Sequence, residues 1–182
     1  MRFEQTFPLR DGRALLLRSC TGEDSALMLE VFLATHAETD YLRSFPEENT
    51  FTAESEARFL REKEESSREA ELMGFVDGVA AGTAGFSAVG SKEKLRHRCE
   101  FGISVRKAYW GLGIGRVMLE SCIGLAREAG YRQMELDVVA DNARAISLYK
   151  SVGFTEYGRN PLGFVSRGAG TQALVLMRLE LK

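Results

Sequence analysis

The sequence predicts an α/β protein, a mixed sheet flanked by helices, in the order β-α-α-β-β-β-α-β-α-β-β. Three observations predict it. The stretch from Cys99 to Gly130 passes from strand periodicity, through a turn with three glycines, into a helical stripe. Segments of period 2 and period 3.6 alternate along the rest of the chain instead of segregating. Asp77-Gly78 separates two apolar runs, the composition of a two-residue hairpin turn.

The first strand is expected at Arg13–Arg18, after an Asp11-Gly12 turn. Thr21 suits an N-cap, with Glu23 and Asp24 in the first turn of a helix running to about Ala34. His36 to Asn49 is polar, aromatic and broken by Pro46, and reads as a loop. Thr52 caps a second helix from Ala53 to about Glu69 whose Ala53, Ala57 and Leu60 form a thin apolar stripe. Glu54–Arg58 and Glu64–Arg68 stand at i,i+4, which describes a solvated surface helix. Glu71–Val76 and Val79–Val89 follow as a hairpin, with Gly82 and Gly85 marking a bulge or a close backbone approach. Ser91–Arg98 is a basic hairpin loop into the next strand, where Phe101, Ile103 and Val105 alternate.

Beyond the glycines, Ile114, Met118, Cys122, Leu125 and Ala129 share one helix face, and Gly130 stands where a C′ glycine belongs. Gln133–Val139 alternates as a strand, Asp141 or Asn142 caps a short helix ending at Gly153, and Phe154–Tyr157 and Ala173–Leu181 complete the sheet. Arg159–Gly170 between them reads as a glycine-rich loop.

Glycines closing on a helix N-terminus leave backbone N–H groups without intrahelical partners, at the positive end of the dipole. That combination suits a phosphate or pyrophosphate. Gly111, Leu112, Gly113, Ile114 and Gly115 form the turn, with Arg106 before it and Arg116 in the first helical turn. A tight turn with no ligand would use the same glycines. Gly115-Arg116-Val117 lacks the Gly-Lys-Ser/Thr of a P-loop. A dinucleotide fingerprint would want glycine where Met118 stands, although Glu135 follows at a suitable distance for the ribose.

Val105-Arg106-Lys107-Ala108-Tyr109-Trp110-Gly111-Leu112-Gly113-Ile114-Gly115-Arg116 resembles the acyl-CoA signature of the GNAT N-acetyltransferase superfamily, Arg/Gln-x-x-Gly-x-Gly/Ala. Gly113 and Gly115 match it, and Trp110 replaces the Arg/Gln, a variant seen in the ribosomal-protein N-acetyltransferase branch. A second run, Asn142-Ala143-Arg144-Ala145-Ile146-Ser147-Leu148-Tyr149-Lys150-Ser151-Val152-Gly153-Phe154, is similar to the family's Asn-x-x-Ala-x-x-Leu-Tyr-x-x-x-Gly-Phe. The resemblance implies a mostly antiparallel central sheet and acetyl-CoA as cosubstrate, without a metal. It implies transfer to a primary amine, either a protein N-terminus or a small molecule, by direct attack in a ternary complex.

On the same resemblance Tyr149 is the acid toward the CoA sulfur, and a phenol is protonated at neutral pH. Packing beside Ala145 and Val152 would equally account for an aromatic there. Asn142 contacts the pantetheine arm or caps its helix. The backbone of Ile103 and Val105 pairs with that arm as an added strand would. Glu100, on the strand face opposite Phe101, Ile103 and Val105, is the candidate general base, and a surface pair with Arg98 or Arg96 is its other reading. His36 and His97 are weaker base candidates without metal-ligand spacing. The acceptor cleft is expected at the loop carrying Glu38, Asp40, Tyr41, Phe45, Glu47 and Glu48.

The 182 residues suit one acetyl-CoA-binding domain over the whole chain, 1–182. A net charge of −2 gives no reason to expect nucleic acid or an anionic membrane as partner. No apolar run approaches a transmembrane length, and the N-terminus does not read as a signal peptide. Cys20, Cys99 and Cys122 are too few and too scattered for a disulfide framework, which fits a reducing cytoplasm. Monomer and homodimer are both compatible with the chain. Two other function classes remain: a non-catalytic acyl-CoA-binding module, and a dinucleotide-binding oxidoreductase.

Overall fold

The structure, a computed structural model, describes Met1–Lys182. Its strands are β1 (Glu4–Pro8), β2 (Ala14–Ser19), β3 (Ala70–Val76), β4 (Val79–Ala88), β5 (Arg98–Val105), β6 (Gln133–Val139), β7 (Thr155–Ser166) and β8 (Gly170–Glu180). They form one sheet in the order β1-β2-β3-β4-β5-β6-β8-β7. Every neighbouring pair is antiparallel except β5 with β6. Helices α1 (Ser25–Glu38) and α2 (Ala53–Glu65) cover one face, while α3 (Ile114–Glu128) and α4 (Ala143–Ser151) cover the other. Period-2 alternation sorts the side chains accordingly. Leu72 of β3 joins Met118, Leu119 and Cys122 of α3, whereas its neighbour Met73 joins Met28, Val31 and Leu60 of α1 and α2.

The mixed, mostly antiparallel architecture is as expected, with one strand more. Glu4–Pro8 pairs with β2 from Glu4↔Arg18 to Pro8↔Ala14. It escapes a periodicity search because it is an edge strand, mostly exposed, with little to bury and a proline at its end. The expected Arg159–Gly170 loop is also corrected. Most of it is β7, folded against β8 through a turn at 167–169. Its glycines mark closeness to a partner strand: a Cβ on Gly163 would lie 2.9 Å from Leu174 Cγ.

The β3–β4 turn is the one its composition predicts, with positive φ at Asp77 (52°) and Gly78 (78°), the type I′ signature. Gly82 and Gly85 mark close approaches. A Cβ on Gly82 would run into the Ser104 carbonyl of β5, and one on Gly85 into the Glu71 carboxyl. Burial there pushes Glu71 up to about 7. Next to Gly82 the register slips, and Ala81 bulges so that its carbonyl accepts from Arg106 N at 2.9 Å.

Helix α2 differs from expectation at its end. It stops at Glu65, where Ser66 N donates to Glu62 O at 3.0 Å. Arg68 therefore leaves the helix and lies over the Tyr131 ring at 4.3 Å, bonding to the carbonyls of Ala129 and Arg96. Neither i,i+4 pair forms; Glu64 meets Arg2 instead. Thr21 begins a short 3-10 turn, and Asp24 stands at the start of α1. The Arg18 guanidinium grips Asp24 at 2.7 and 2.8 Å and, with Thr21 N at 2.8 Å, lowers its carboxyl to about 2.

A depressed carboxylate stabilises the fold above its unfolded pKa and loses that contribution as pH falls through the folded value. Asp24→Asn is therefore expected to lose about 2 kcal/mol at pH 7. Its stability curve, measured by urea unfolding, should lack the decline the parent shows between pH 4 and 2. A parallel decline in both proteins would show that this ion pair contributes nothing.

Candidate active site at the fork between two strands

Strands β5 and β6 pair over three positions only: Arg98↔Gln133, Cys99↔Met134 and Glu100↔Glu135. Beyond Glu100, β5 stays with β4 as far as Val105↔Gly82, while β6 stays with β8 as far as Val139↔Leu174. Phe101–Val105 and Leu136–Val139 are thus two strand edges facing a wedge-shaped gap, with backbone groups that ladder bonds would otherwise saturate. The glycine turn and α3 follow β5 directly, and α4 follows β6. Both helices accordingly begin at the open end of the fork.

The turn has the anion-binding form. Gly111 and Gly113 hold φ of 88° and 93°, where a Cβ would be strained. The N–H groups of Gly111, Leu112, Gly113, Ile114 and Gly115 donate to nothing within the protein. Five such donors at the start of a 15-residue helix form a cradle of the kind that suits an anion. Arg10, from the β1–β2 turn, brings its Nε to 3.9 Å from where a Gly113 Cβ would lie. Gly115 serves packing, because its Cβ would meet Leu148 of α4 at 3.3 Å. Arg116 turns away from the cradle to Glu120 at 3.1 Å and Ser151 Oγ at 2.6 Å, tying α3 to α4. Trp110 donates its indole N–H to the Val105 carbonyl at 2.7 Å and carries the Arg144 guanidinium at 4.8 Å from its ring centroid. One lone pair of Val105 is therefore used internally, while Ile103 lies further into the fork.

Tyr149 is buried on α4, edge-on to Phe101 with centroids 6.4 Å apart and 5.8 Å from the ring of Phe154. Burial, reinforced by the Asp137 charge, pushes its phenol up to about 12. Asn142 caps α4 by accepting from Ala145 N at 3.2 Å. Glu100 stands at the last paired position, where the fork opens. It pairs with neither Arg98 nor Arg96, which go to Glu135 and Glu93. Its partner is Arg43, whose Nη2 lies 2.6 Å from Glu100 and 2.5 Å from Asp137.

Sequence reasoning missed Arg43 and Asp137. Asp137 had a usable signal, since Gln133, Glu135 and Asp137 form the polar face opposite Met134, Leu136 and Val138. Arg43 had none. The acidic residues of its loop are mostly engaged elsewhere. Glu38 accepts from Lys107 N at 2.5 Å, Glu48 from Phe45 N at 2.7 Å, and Glu47 pairs with Arg167. Asp40 instead lines a pocket of about 220 Å³ with Arg43, Phe45 and Phe164. Tyr41 reaches the Asp141 carbonyl at 3.5 Å. His36 stacks on Phe32 and bonds to its carbonyl at 2.7 Å, with burial lowering its pKa. Among these residues no His/Cys/Asp/Glu cluster with metal-binding geometry occurs.

Residues 33–154 match the acetyltransferase (GNAT) family, a span that contains the fork, the cradle and Tyr149. The chain belongs to the GNAT acetyltransferase family. It is 33% identical over 110 residues to the L-methionine sulfoximine/L-methionine sulfone acetyltransferase of Salmonella typhimurium, covering 60% of this chain and 64% of that one. It is 43% identical over 56 residues to the ribosomal protein bS18-alanine N-acetyltransferase of Escherichia coli, 31% of this chain and 38% of that one. The chain thus spans less than two thirds of these relatives. A GNAT acetyltransferase structure from Streptococcus pneumoniae superposes with a TM-score of 0.87 at 27% identity, over 91% of this chain and 99% of that one. A Salmonella typhimurium acetyltransferase structure, solved with its cofactor acetyl-CoA, superposes at 0.81 and 26% identity, over 92% and 94%.

The two glycines should respond differently to substitution. Gly113→Val blocks the cradle and strains φ, so CoA affinity measured calorimetrically should fall at least tenfold, with the circular dichroism spectrum retained. Gly115→Val should lower the melting temperature through the α3–α4 contact. Unchanged CoA affinity in a folded Gly113→Val protein would assign that glycine to the turn alone.

Proposed function

We propose that this chain is an acetyl-CoA-dependent N-acetyltransferase acting on a primary amine. The observation that carries the reading is the alignment of the β5–β6 fork with the five unpaired N–H groups at the start of α3. A ligand with a pyrophosphate at one end and an amide-bearing arm at the other fits both. The diphosphate sits on the cradle beside Arg10, and the arm pairs along the free edge at Ile103. Its thioester end then reaches the closed end of the fork. Asn142 is committed to capping through Oδ1, which leaves its side-chain amide N–H free for the arm.

At the fork the amine nitrogen attacks the thioester carbonyl carbon. The C–N bond forms, the C–S bond breaks and the sulfur takes the electron pair. The nitrogen sheds a proton to Glu100, directly or through water. Tyr149 faces the departing sulfur as a donor. With its phenol near 12 and a thiol near 8.5, outright transfer would be uphill by on the order of 5 kcal/mol. Tyr149 therefore stabilises the thiolate chiefly as a hydrogen-bond donor, an electrostatic role. The high pKa keeps that donor protonated throughout the neutral range.

Acetyl-CoA in hundredfold excess over its Kd should stabilise the protein by about 2.7 kcal/mol, with NAD giving much less. Tyr149→Phe should slow acetyl transfer in a single turnover by about 10²–10³ at unchanged CoA affinity. The assay is thiol release across an amine panel, with mass spectrometry of the product. Binding without turnover on any amine would leave a non-catalytic acyl-CoA module, and equal stabilisation by NAD would overturn the cofactor assignment.

A further inference from the structure

We infer that Glu100 and Asp137 together form the docking position for the acceptor's cationic amine, and that Arg43 occupies it until an acceptor displaces it. The inference rests on the acetyltransferase reading above and specifies the acceptor class: an alkylammonium with no carboxylate on the adjacent carbon.

The geometry is that of one cation shared by two strands. A single nitrogen, Arg43 Nη2, contacts Glu100 of β5 and Asp137 of β6, where those strands no longer pair with each other. The contact is not needed to hold the strands together. One step back, Arg98 of β5 takes Glu135 of β6 through two nitrogens, with the Glu135 side chain 10% exposed. That pair closes the joint. Arg43 is different, with its side chain 67% exposed and those of Glu100 and Asp137 at 45% and 25%. Exposed pairs of this kind contribute little stability and exchange readily. Arg43 also lies in the irregular segment between α1 and the turn at Pro46, so withdrawing it breaks no helix or strand.

The position is also chemically suitable. Glu100 stands at the last paired position of β5 and β6, and Asp137 shares the same Arg43 nitrogen, so both carboxylates lie where the fork opens. A guanidinium cannot lose its proton at ordinary pH, so Arg43 can fill the position without becoming a nucleophile. An alkylammonium in the same place can release a proton to Glu100 and then attack. Around the position and its adjoining pocket, Glu100, Asp137, Asp40 and Glu47 outnumber Arg43 and Arg167, and Arg167 is already paired with Glu47, so the local charge favours a cation over a zwitterion. The adjoining pocket of about 220 Å³, lined by Leu42, Phe45, Phe164 and Val165 as well as Asp40, would receive the acceptor's chain.

The test uses small cations on the CoA-saturated full chain, with affinities read by ligand-observed NMR. The probes are methylguanidinium, n-butylammonium and, as the carboxylated counterpart, norvaline. Arg43→Ala and Arg43→Met should each bind the two cations at least tenfold more tightly than the parent, the gain shrinking with added salt. Adding Asp137→Asn to either variant should abolish the gain, and norvaline should bind at least tenfold more weakly than n-butylammonium. No gain on removing Arg43, a gain that survives Asp137→Asn, or norvaline binding as tightly as n-butylammonium would each overturn the inference. Acetyl-CoA stabilisation of the same variants, measured in parallel, is independent of these affinities. Its absence would remove the acetyltransferase reading, whereas its presence with no cation gain would remove only the docking position.

Discussion

Everything at the candidate site depends on how far β5 and β6 stay together. Three register pairs join them, and beyond Glu100 each strand remains bound only to its outer neighbour. Unpaired strand edges inside a sheet are costly unless a ligand or water saturates them. Here two flanking features tolerate and shape the opening. The Ala81 bulge turns a carbonyl onto Arg106 and re-aims the chain leaving β5. On the other side, β6 passes through the Asn142 cap into α4, which places Tyr149 against Phe101. Cradle, fork and phenol are therefore set by one divergence of two strands.

The two faces of the sheet divide the labour. The α3–α4 face carries the larger apolar cluster and the groups suited to a nucleotide-linked arm. The α1–α2 face carries the ionic row Arg98, Glu135, Glu100, Asp137 and Arg43, open to solvent at its far end. The faces are also joined, since Glu38 at the end of α1 holds the Lys107 amide just before the cradle. The end of α1 and the turn leading into α3 are thereby tethered by a single charge-assisted bond.

Much of the fold was legible because it rests on local chemistry. Asp77-Gly78, the Gly82 and Gly85 approaches, the α3 stripe and the cradle glycines each announce themselves within a few residues. β1 and the part of β7 beyond Tyr157 were not legible, because edge strands bury one face poorly and carry no clean alternation. The surface-helix reading of α2 failed at Arg68 because a C-cap at Ser66 moved it out of helical register. At the site, Tyr149, Asn142 and the glycines stood in recognisable runs. Glu100 was singled out by its strand face, and its ion-pair partner is Arg43 instead of Arg98 or Arg96.

By itself the sequence determined the α/β class and the glycine turn closing on a helix. Each depends on spacing along one continuous segment, where covalent geometry and backbone hydrogen bonding decide the outcome. Only the tertiary structure decided that Arg116 ties helices together while Arg10, a hundred residues earlier in the chain by order of magnitude, stands beside the cradle. It alone joined Arg43 to Glu100 and Asp137, which come from three separate parts of the chain. The physical reason is that a salt bridge between distant residues has no local signature. Its partners are chosen by sheet register and loop path, and those are settled only when the whole core is packed.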